Sequence, residues 1–213
     1  MRDEPNDRSE MVSQILYGEL FKVLEQRKKW SRIRLNLDQY EGWVDNKQYQ
    51  EIEESDYEQW SVKDNIAFAK DPITTITHAD KTLSTILIGS QISSAPYLKD
   101  TYANHFGKDD LRIKSKEDLI NNALLFLNTP YLWGGRSCLG IDCSGLTQLI
   151  YRLNGYFLSR DASEQAKHGE ILSFIEESDP GDLAFFDNAE GAITHVGIIM
   201  KDNYIIHAHG KVR

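Results

Sequence analysis

The first quarter of the chain shows the two-residue period of half-buried β-strands. Between Arg32 and Leu37 polar and apolar residues alternate, so that one face of the segment is apolar. Similar short pieces run through residues 12–49 without a long helical period, which favours a small antiparallel barrel over a helical domain. The acidic run over residues 51–58 is interpreted as a connector, and further strand-like pieces follow between residues 72 and 98.

Helical patterns begin near residue 115. Ser115 and Asp118 have the spacing of a capping box, and apolar residues then recur at helical positions as far as Leu127. Asp142 can cap a second helix, which the pair Asn154-Gly155 ends. The sequence therefore predicts two helices in this part of the chain.

The last fifty residues combine a short helix with strands. Asp161 is expected to start a third helix that Gly169 closes. Strands are predicted over residues 183–186, 194–200 and 204–208. Helices followed by strands are typical of an α+β domain.

Composition limits the class of protein. A chain of 213 residues with 40% apolar and 27% charged residues is typical of globular proteins and long enough for at least two domains. The net charge of -9 argues against nucleic acid as a partner. We find no apolar run of membrane-spanning length and no secretory signal in the polar N-terminus. The compartment therefore stays open: the cell envelope is favoured if a signal peptide was removed, and the cytoplasm otherwise.

The chain has two cysteines, Cys138 and Cys143, and we expect both to be reduced. Cys143 follows the predicted cap Asp142, so it lies in the first turn of a helix. There the helix dipole stabilises a thiolate and is expected to lower the pKa of the thiol. A small buried hydrophobic residue is the alternative interpretation.

Two histidines can act as the base and its partner. If the last two predicted strands form a hairpin through a three-residue loop, paired residues sum to 404 and His207 lies opposite Gly197. His207 is then diagonal to His195 on the same face. A two-residue loop would place the two rings on opposite faces. A metal site of His195, His207 and His209 is the rival interpretation, but no matched carboxylate accompanies it, and we expect neither a metal nor a cofactor.

Six ordered fragments resemble the NlpC/P60 family of papain-like cysteine peptidases. They are Tyr131-Leu-Trp-Gly-Gly135, Asp142-Cys-Ser-Gly-Leu146, Arg160-Asp-Ala-Ser163 with Gln165, Pro180-Gly-Asp-Leu183 with Phe186, His195-Val-Gly-Ile198 and Ile206-His-Ala208. Residues 1–55 are similar to a bacterial SH3 domain, with Tyr40-Glu-Gly-Trp-Val44 as the most telling segment. The resemblance implies a catalytic domain over residues 113–213, with residues 56–112 as a linker or as the remainder of the SH3-like region.

The resemblance also implies roles for individual residues. Cys143 would be the nucleophile, His195 the general base and His207 the residue that orients it. In members with an SH3-like domain, Ser144 and Asp161 would hold the free amino group of an N-terminal L-Ala, and Tyr40 would wall the pocket. Asp161 could instead be a plain helix cap, and Tyr40 an ordinary turn residue.

Such members are γ-D-glutamyl-L-diamino acid endopeptidases, so the resemblance implies cleavage of peptidoglycan stem peptides in cell-wall turnover or recycling, by a monomer. An amidase or acyltransferase on the same scaffold, and a non-catalytic wall-peptide-binding protein, are the alternatives. The chain departs from the family pattern at Cys138, where a small polar residue is more frequent. It also ends at Arg213, where the family usually continues, and a truncated C-terminus is expected to explain this.

Overall fold

The chain folds into two compact units. The computed structural model describes residues 1–62, 66–93, 95–96, 98–102 and 115–213. The units are Met1–Arg112 and Ile113–Arg213. The predicted domain boundary between residues 112 and 113 lies outside the described residues. Over the described ranges we find no helix with the length and apolar character needed to cross a membrane.

The first sheet of the N-terminal unit is antiparallel and has three strands. They are β1 (Phe21–Gln26), β2 (Trp30–Leu35) and β3 (Glu41–Asp45), in the order β1-β2-β3. The predicted alternation along β2 is confirmed, because Ile33 and Leu35 are buried while Arg32 and Arg34 are exposed. The sheet is small and open, where the sequence predicted a barrel.

The acidic segment after β3 contains a helix that the sequence pattern did not predict. Helix α1 spans Glu54–Trp60. Tyr57 and Trp60 are three residues apart and therefore lie on one helix face. Trp60 is buried, and the Tyr57 hydroxyl donates a hydrogen bond to Oδ1 of Asn36 at 3.1 Å. These two aromatic residues attach an otherwise polar helix to the N-terminal unit.

A second three-stranded sheet completes the N-terminal unit. It comprises β4 (Ile73–Thr77), β5 (Leu83–Leu87) and β6 (Thr101–Tyr102), in the order β5-β4-β6. Its core is the buried cluster of Ala69, Ile76, Ile86 and Ala95, on which Tyr17 packs. The Tyr17 hydroxyl also donates to Oδ2 of Asp100 at 2.7 Å. The segment that precedes β1 is thereby joined to this second sheet.

The C-terminal unit begins with helices and two short strands. In chain order they are α2 (Lys116–Leu124), β7 (Arg136–Ser137), β8 (Gly140–Ile141), α3 (Cys143–Leu153) and α4 (Ala162–Gln165). The capping box of α2 is confirmed: the Asp118 backbone N–H donates to Ser115 Oγ at 3.1 Å. Asp142 caps α3 as predicted. The third helix is a single turn that ends at Gln165, well before Gly169.

The strands of the C-terminal unit follow the helices. They are β9 (Leu183–Asp187), β10 (Ile193–Ile199), β11 (Ile205–Ile206), β12 (Ala208–His209) and β13 (Lys211–Val212). Three form a sheet in the order β11-β10-β9, and β12 pairs with β13. The strand predicted over residues 204–208 is interrupted at His207. The central strand β10 packs on α3, where Val196 and Leu146 are both fully buried.

The start of α3 lies directly against the loop that precedes β7. A Cβ atom at Gly145 would be 2.3 Å from the carbonyl oxygen of Gly135 and 2.9 Å from Oδ1 of Asp142. Only a residue without a side chain allows this approach of helix and loop.

We therefore expect Gly145→Ala to destabilise the fold by about 1–3 kcal/mol, the usual cost of overpacking. Urea denaturation of the full chain measures the change. Ser163→Ala, at an exposed position of α4, is the matched control and should leave the midpoint unchanged. Equal midpoints for the two variants would contradict the close packing at Gly145.

Candidate active site

The N-terminus of α3 is fixed by a buried ion pair. Arg160 Nη2 donates to Oδ2 of Asp142 at 2.6 Å and Nη1 donates to Oδ1 at 3.1 Å. The Asp142 carboxylate also accepts from the backbone N–H of Gly145 at 2.7 Å and of Gly134 at 2.9 Å. The side chain of Asp142 is 8% exposed and that of Arg160 is 1% exposed. Four hydrogen bonds to a carboxylate offset much of the cost of burying it.

Ser144 belongs to this ion-pair network. Its hydroxyl oxygen accepts from Nη1 of Arg160 at 2.9 Å and contacts Oδ1 of Asp142 at 3.4 Å. The side chain is buried. Ser144 therefore has a structural partner in addition to the substrate role that the sequence suggested.

Cys143 is the first residue of α3 and is 7% exposed. Burial raises the pKa of its thiol, and the adjacent Asp142 charge raises it further. The backbone N–H groups of Val196 and Ser144 and the charge of Arg160 act in the opposite direction. The net increase is contrary to the lowering expected from the helix start. Free Cys143 is therefore a neutral thiol that needs a base.

Tyr131 interacts electrostatically with Cys143, which the sequence did not show. Burial raises the pKa of its phenol, and the charges of Cys143 and Asp142 add to the effect. The backbone of Tyr131 pairs with Ile141 and donates to the carbonyl of Gly210 at 3.0 Å. The phenol is therefore neutral near pH 7 and can donate a hydrogen bond.

His195 and His207 form the hydrogen-bonded pair that the register predicted. Nε2 of His195 lies 2.8 Å from Nδ1 of His207, and the ring centroids are 5.0 Å apart. Burial lowers the pKa of both imidazoles. Both rings are therefore neutral near pH 7, and His195 retains Nδ1 for a second partner.

The hairpin between β10 and β11 has the register required for this pair. Ile198 pairs with Ile206 and Ile199 with Ile205, so paired residues sum to 404. The three-residue loop is confirmed by the turn Lys201–Asn203, in which Asp202 adopts a φ of 60°. Gly197 leaves the space that His207 occupies: a Cβ atom there would be 3.1 Å from the Cβ atom of His207.

The strand that carries His195 contacts Cys143 directly. Cys143, Val196 and Ala162 form one buried cluster. Because Val196 follows His195 in β10, His195 lies on the strand that packs against the thiol. Helix α3, helix α4 and strand β10 therefore meet at Cys143.

His209 also lies close to the pair. Its ring centroid is 6.0 Å from that of His207 and 6.2 Å from that of His195. In the part of the chain that the structure describes, no group of three or more His, Cys, Asp or Glu residues is arranged to hold a metal ion. The three imidazoles form one cluster of rings. Cys138 and Cys143 are both free thiols.

Asp161 occupies the N-cap position of α4 but does not cap the helix with its side chain. Its backbone carbonyl accepts from Glu164 at 3.0 Å and from Gln165 at 2.9 Å. The interpretation as a plain side-chain cap therefore loses its main support.

Gln165 joins the segment of Asp161 to the helix of Cys143. Its Nε2 donates to the carbonyl oxygens of Ser144 at 3.1 Å and Ser159 at 2.9 Å. Its Oε1 accepts from the hydroxyl of Thr147 at 2.7 Å. The side chain is buried. The sequence fragment that contains Gln165 suggested family membership but gave no hint of this bridging role.

Tyr40 lies in the N-terminal unit, just before β3. It packs against the core cluster of Ile33, Leu35 and Val44. Its backbone N–H donates to Oδ1 of Asp38 at 3.0 Å. These contacts fix Tyr40 within its own unit, and its contribution to a substrate pocket stays a prediction.

Two family models match the chain. Residues 128–213 match the NlpC/P60 family, and residues 1–48 match the bacterial dipeptidyl-peptidase Sh3 domain. The chain carries an NlpC/P60 domain preceded by a bacterial SH3 domain. The NlpC/P60 domain contains Cys143, His195 and His207, and the family is one of cysteine peptidases.

Similar proteins carry dipeptidyl-peptidase names. The chain is 43% identical over 94 residues to a γ-D-glutamyl-L-lysine dipeptidyl-peptidase of Bacillus subtilis, a match that covers 43% of this chain and 31% of that protein. It is 28% identical over 238 aligned residues to dipeptidyl-peptidase 6 of Lysinibacillus sphaericus, covering 96% of this chain and 82% of that protein. The match thus spans about a third of the B. subtilis relative.

The fold is also found in a solved structure. The crystal structure of an NlpC/P60 family protein from Bacillus cereus matches with a TM-score of 0.75 and 22% identity, over 94% of this chain and 75% of that one. The predicted α+β class, with an SH3-like region ahead of the NlpC/P60 domain, is confirmed.

The space at Gly197 leads to a prediction about the histidine pair. In Gly197→Ala, the new methyl group should displace His207 and weaken its hydrogen bond to His195, so that iodoacetamide alkylates Cys143 about tenfold more slowly. Mass spectrometry of the modified peptides separates Cys143 from Cys138, whose rate serves as an internal control. Thr194→Ala, at an exposed position on the same strand, should react as the unmodified protein does. An unchanged Cys143 rate in Gly197→Ala would contradict this role of the glycine.

Proposed function

We propose that this chain is a cysteine peptidase that hydrolyses the bond between γ-D-Glu and the diamino acid of peptidoglycan stem peptides with a free N-terminal L-Ala. The observation that carries the proposal is the arrangement around Cys143. A buried thiol at a helix start packs against the strand of His195, and His195 is hydrogen bonded to His207. Such peptides arise in cell-wall turnover, so the enzyme would act in turnover or recycling.

In the proposed reaction, His195 removes the proton of the Cys143 thiol as the sulfur attacks the scissile carbonyl carbon. Nε2 of His195 is engaged with His207, so Nδ1 is the nitrogen that receives the proton. Nδ1 of His207 accepts the hydrogen bond from Nε2–H and stabilises the imidazolium that forms. His195 then protonates the leaving amine, and water hydrolyses the thioester.

The start of α3 supplies donors for the negative charge of the tetrahedral intermediate. Backbone N–H groups in the first turn of a helix have no partner within the helix, so that of Cys143 can donate to the oxyanion. The Tyr131 phenol interacts electrostatically with Cys143 and Asp142, and the increase in its pKa keeps it neutral. We assign it as a second donor.

Asp161 and Ser144 are proposed to bind the amino terminus of the substrate. The Asp161 carboxylate would form a charge-assisted hydrogen bond with the ammonium group of L-Ala. Ser144 follows the nucleophile directly, and its hydroxyl oxygen already accepts from Arg160.

The names of the similar proteins support this substrate class. The B. subtilis relative is a γ-D-glutamyl-L-lysine dipeptidyl-peptidase, and its similarity to this chain extends over 94 residues. The second relative, dipeptidyl-peptidase 6, aligns with nearly the whole chain. A dipeptidyl-peptidase removes two residues from a free amino terminus. Binding of that terminus is the role proposed for Asp161 and Ser144.

Incubation with the tripeptide L-Ala-γ-D-Glu-diamino acid tests the proposed function. Mass spectrometry should detect L-Ala-γ-D-Glu and the free diamino acid, and Cys143→Ala should abolish their release because the nucleophile is lost. Cys138→Ala is the matched control and should retain the activity. Binding without turnover would favour a non-catalytic wall-peptide-binding protein, and acyl transfer without hydrolysis would favour an acyltransferase. Either result would reject the peptidase.

Recognition of the amino group can be tested separately at Asp161. Asp161→Asn removes the charge but keeps the size, so kcat/KM for the free tripeptide should fall by about 10- to 100-fold, the effect of one charge-assisted hydrogen bond. The N-acetylated tripeptide should be a poor substrate for both forms. Asp187→Asn, at an exposed position of β9, is the control. If the acetylated and free peptides react equally well, Asp161 does not bind the amine.

A further inference from the structure

The proposed mechanism uses two of the three clustered histidines, and His209 is left without a role. The planes of His207 and His209 are within 8° of parallel at a centroid distance of 6.0 Å. The ring of His209 is at 82° to that of His195, at 6.2 Å. His209 is thus close enough to act on both members of the catalytic pair.

The backbone fixes His209 in this position. It is the last residue of β12 and pairs with Lys211 across a tight turn. Gly210 makes that turn with a φ of 71°, a conformation that glycine adopts without strain. The backbone N–H and carbonyl of His207 bond to those of Arg213, both at 3.1 Å. Residues 207 and 209 therefore point to the same side of a short hairpin.

We propose that His209 is a positioning residue of the catalytic site, which supports the ring of His207 and, once protonated, weakens His195 as a base through its positive charge. The inference rests on the proposed function, because it concerns the same site. Protonation of His209 would then control the strength of His195 as a base. His209 is exposed to solvent, whereas His195 and His207 are half-buried.

The charges around the cluster determine the direction of the effect. Burial is the main cause that lowers the pKa of His195, followed by the charges of His207 and His209. For His207 the corresponding causes are burial, then Arg213 and His209. Lys211 faces His209 across the hairpin, with its Nζ bonded to Oδ1 of Asn128 at 2.7 Å.

The neighbouring elements carry the Asp142–Arg160 ion pair and two further groups that can ionise. These are the Cys143 thiol, at the start of the helix α3 that packs on β12, and the Tyr131 phenol. Increases in their pKa keep both neutral in the acidic range. Arg160 compensates the charge of Asp142, and the other groups identified around His209 are cationic or neutral in this range, so a proton on His209 adds to a positive field.

The sign of the pH effect follows from this field. In the unmodified protein, a charged His209 opposes protonation of His195, so the unprotonated base persists to lower pH. Two unit charges about 6 Å apart in a partly solvated site interact by an amount worth roughly half a unit to one unit of pKa. Removing the charge should raise the pKa of His195 towards its ordinary value, and the acid limb of kcat/KM should move with it.

The acid limb of kcat/KM for the tripeptide tests the inference. His209→Gln should move the limb to higher pH by about half a unit to one unit. His209→Lys, which carries a permanent charge, should keep the limb at or below its original position and lower the plateau about two- to threefold, because His195 is then a weaker base. His168→Gln makes the same change at an exposed histidine near the end of α4 and should shift nothing.

A purely structural role for His209 predicts a different result. His209→Gln would then lower the plateau without moving the acid limb, and that outcome would overturn the inference. NMR titration of the His195 and His207 ring signals in the full chain gives a second measurement that needs no substrate. If the tripeptide is not cleaved but the His195 midpoint rises in His209→Gln, the proposed function fails and the electrostatic control stands. An unchanged midpoint rejects the control, whatever the activity.

Discussion

The site depends on the buried ion pair between Asp142 and Arg160. A carboxylate at this position would be costly to bury alone, and removing one partner of such a pair typically costs about 3–5 kcal/mol. Here the carboxylate receives both guanidinium nitrogens and two backbone N–H groups. The pair therefore fixes the start of α3, and with it the direction in which Cys143 presents its sulfur. The same carboxylate raises the pKa of the thiol, and Arg160 partly compensates.

This balance explains why Cys143 and His195 must act together in the proposed mechanism. The thiol is too weakly acidic to ionise alone near pH 7, and burial makes both imidazoles weak bases. Neutral partners cost little to bury, whereas a permanent thiolate–imidazolium pair would need compensation that the site only partly supplies. Charge then develops chiefly during attack, when the His207 nitrogen and the donors at the start of α3 can stabilise it.

Sequence reasoning was most successful where the physical cause is local. The caps at Ser115 and Asp142 need only a few adjacent residues, and the facing of His195 and His207 follows from counting along one hairpin. The helix α1 was missed because its acidic residues conceal the two aromatic residues that attach it. Arg160 could not be paired with Asp142, since eighteen residues separate them and many carboxylates were available. The burial of Cys143 is also a property of the folded core. It raises the pKa of the thiol, where the sequence predicted a lowering.

The buried amide of Gln165 bears on how the proposed enzyme would set the length of the fragment that it releases. Its Nε2 donates hydrogen bonds to the carbonyl oxygens of Ser144 and Ser159, and its Oε1 accepts one from the hydroxyl of Thr147. One side chain therefore ties the segment that carries Asp161 to the helix that carries Cys143. For a substrate held at its amino end, the distance from the ammonium group to the attacked carbonyl is set by the protein and not by the peptide. Cleavage after the second residue of the substrate then requires no recognition of that residue's side chain.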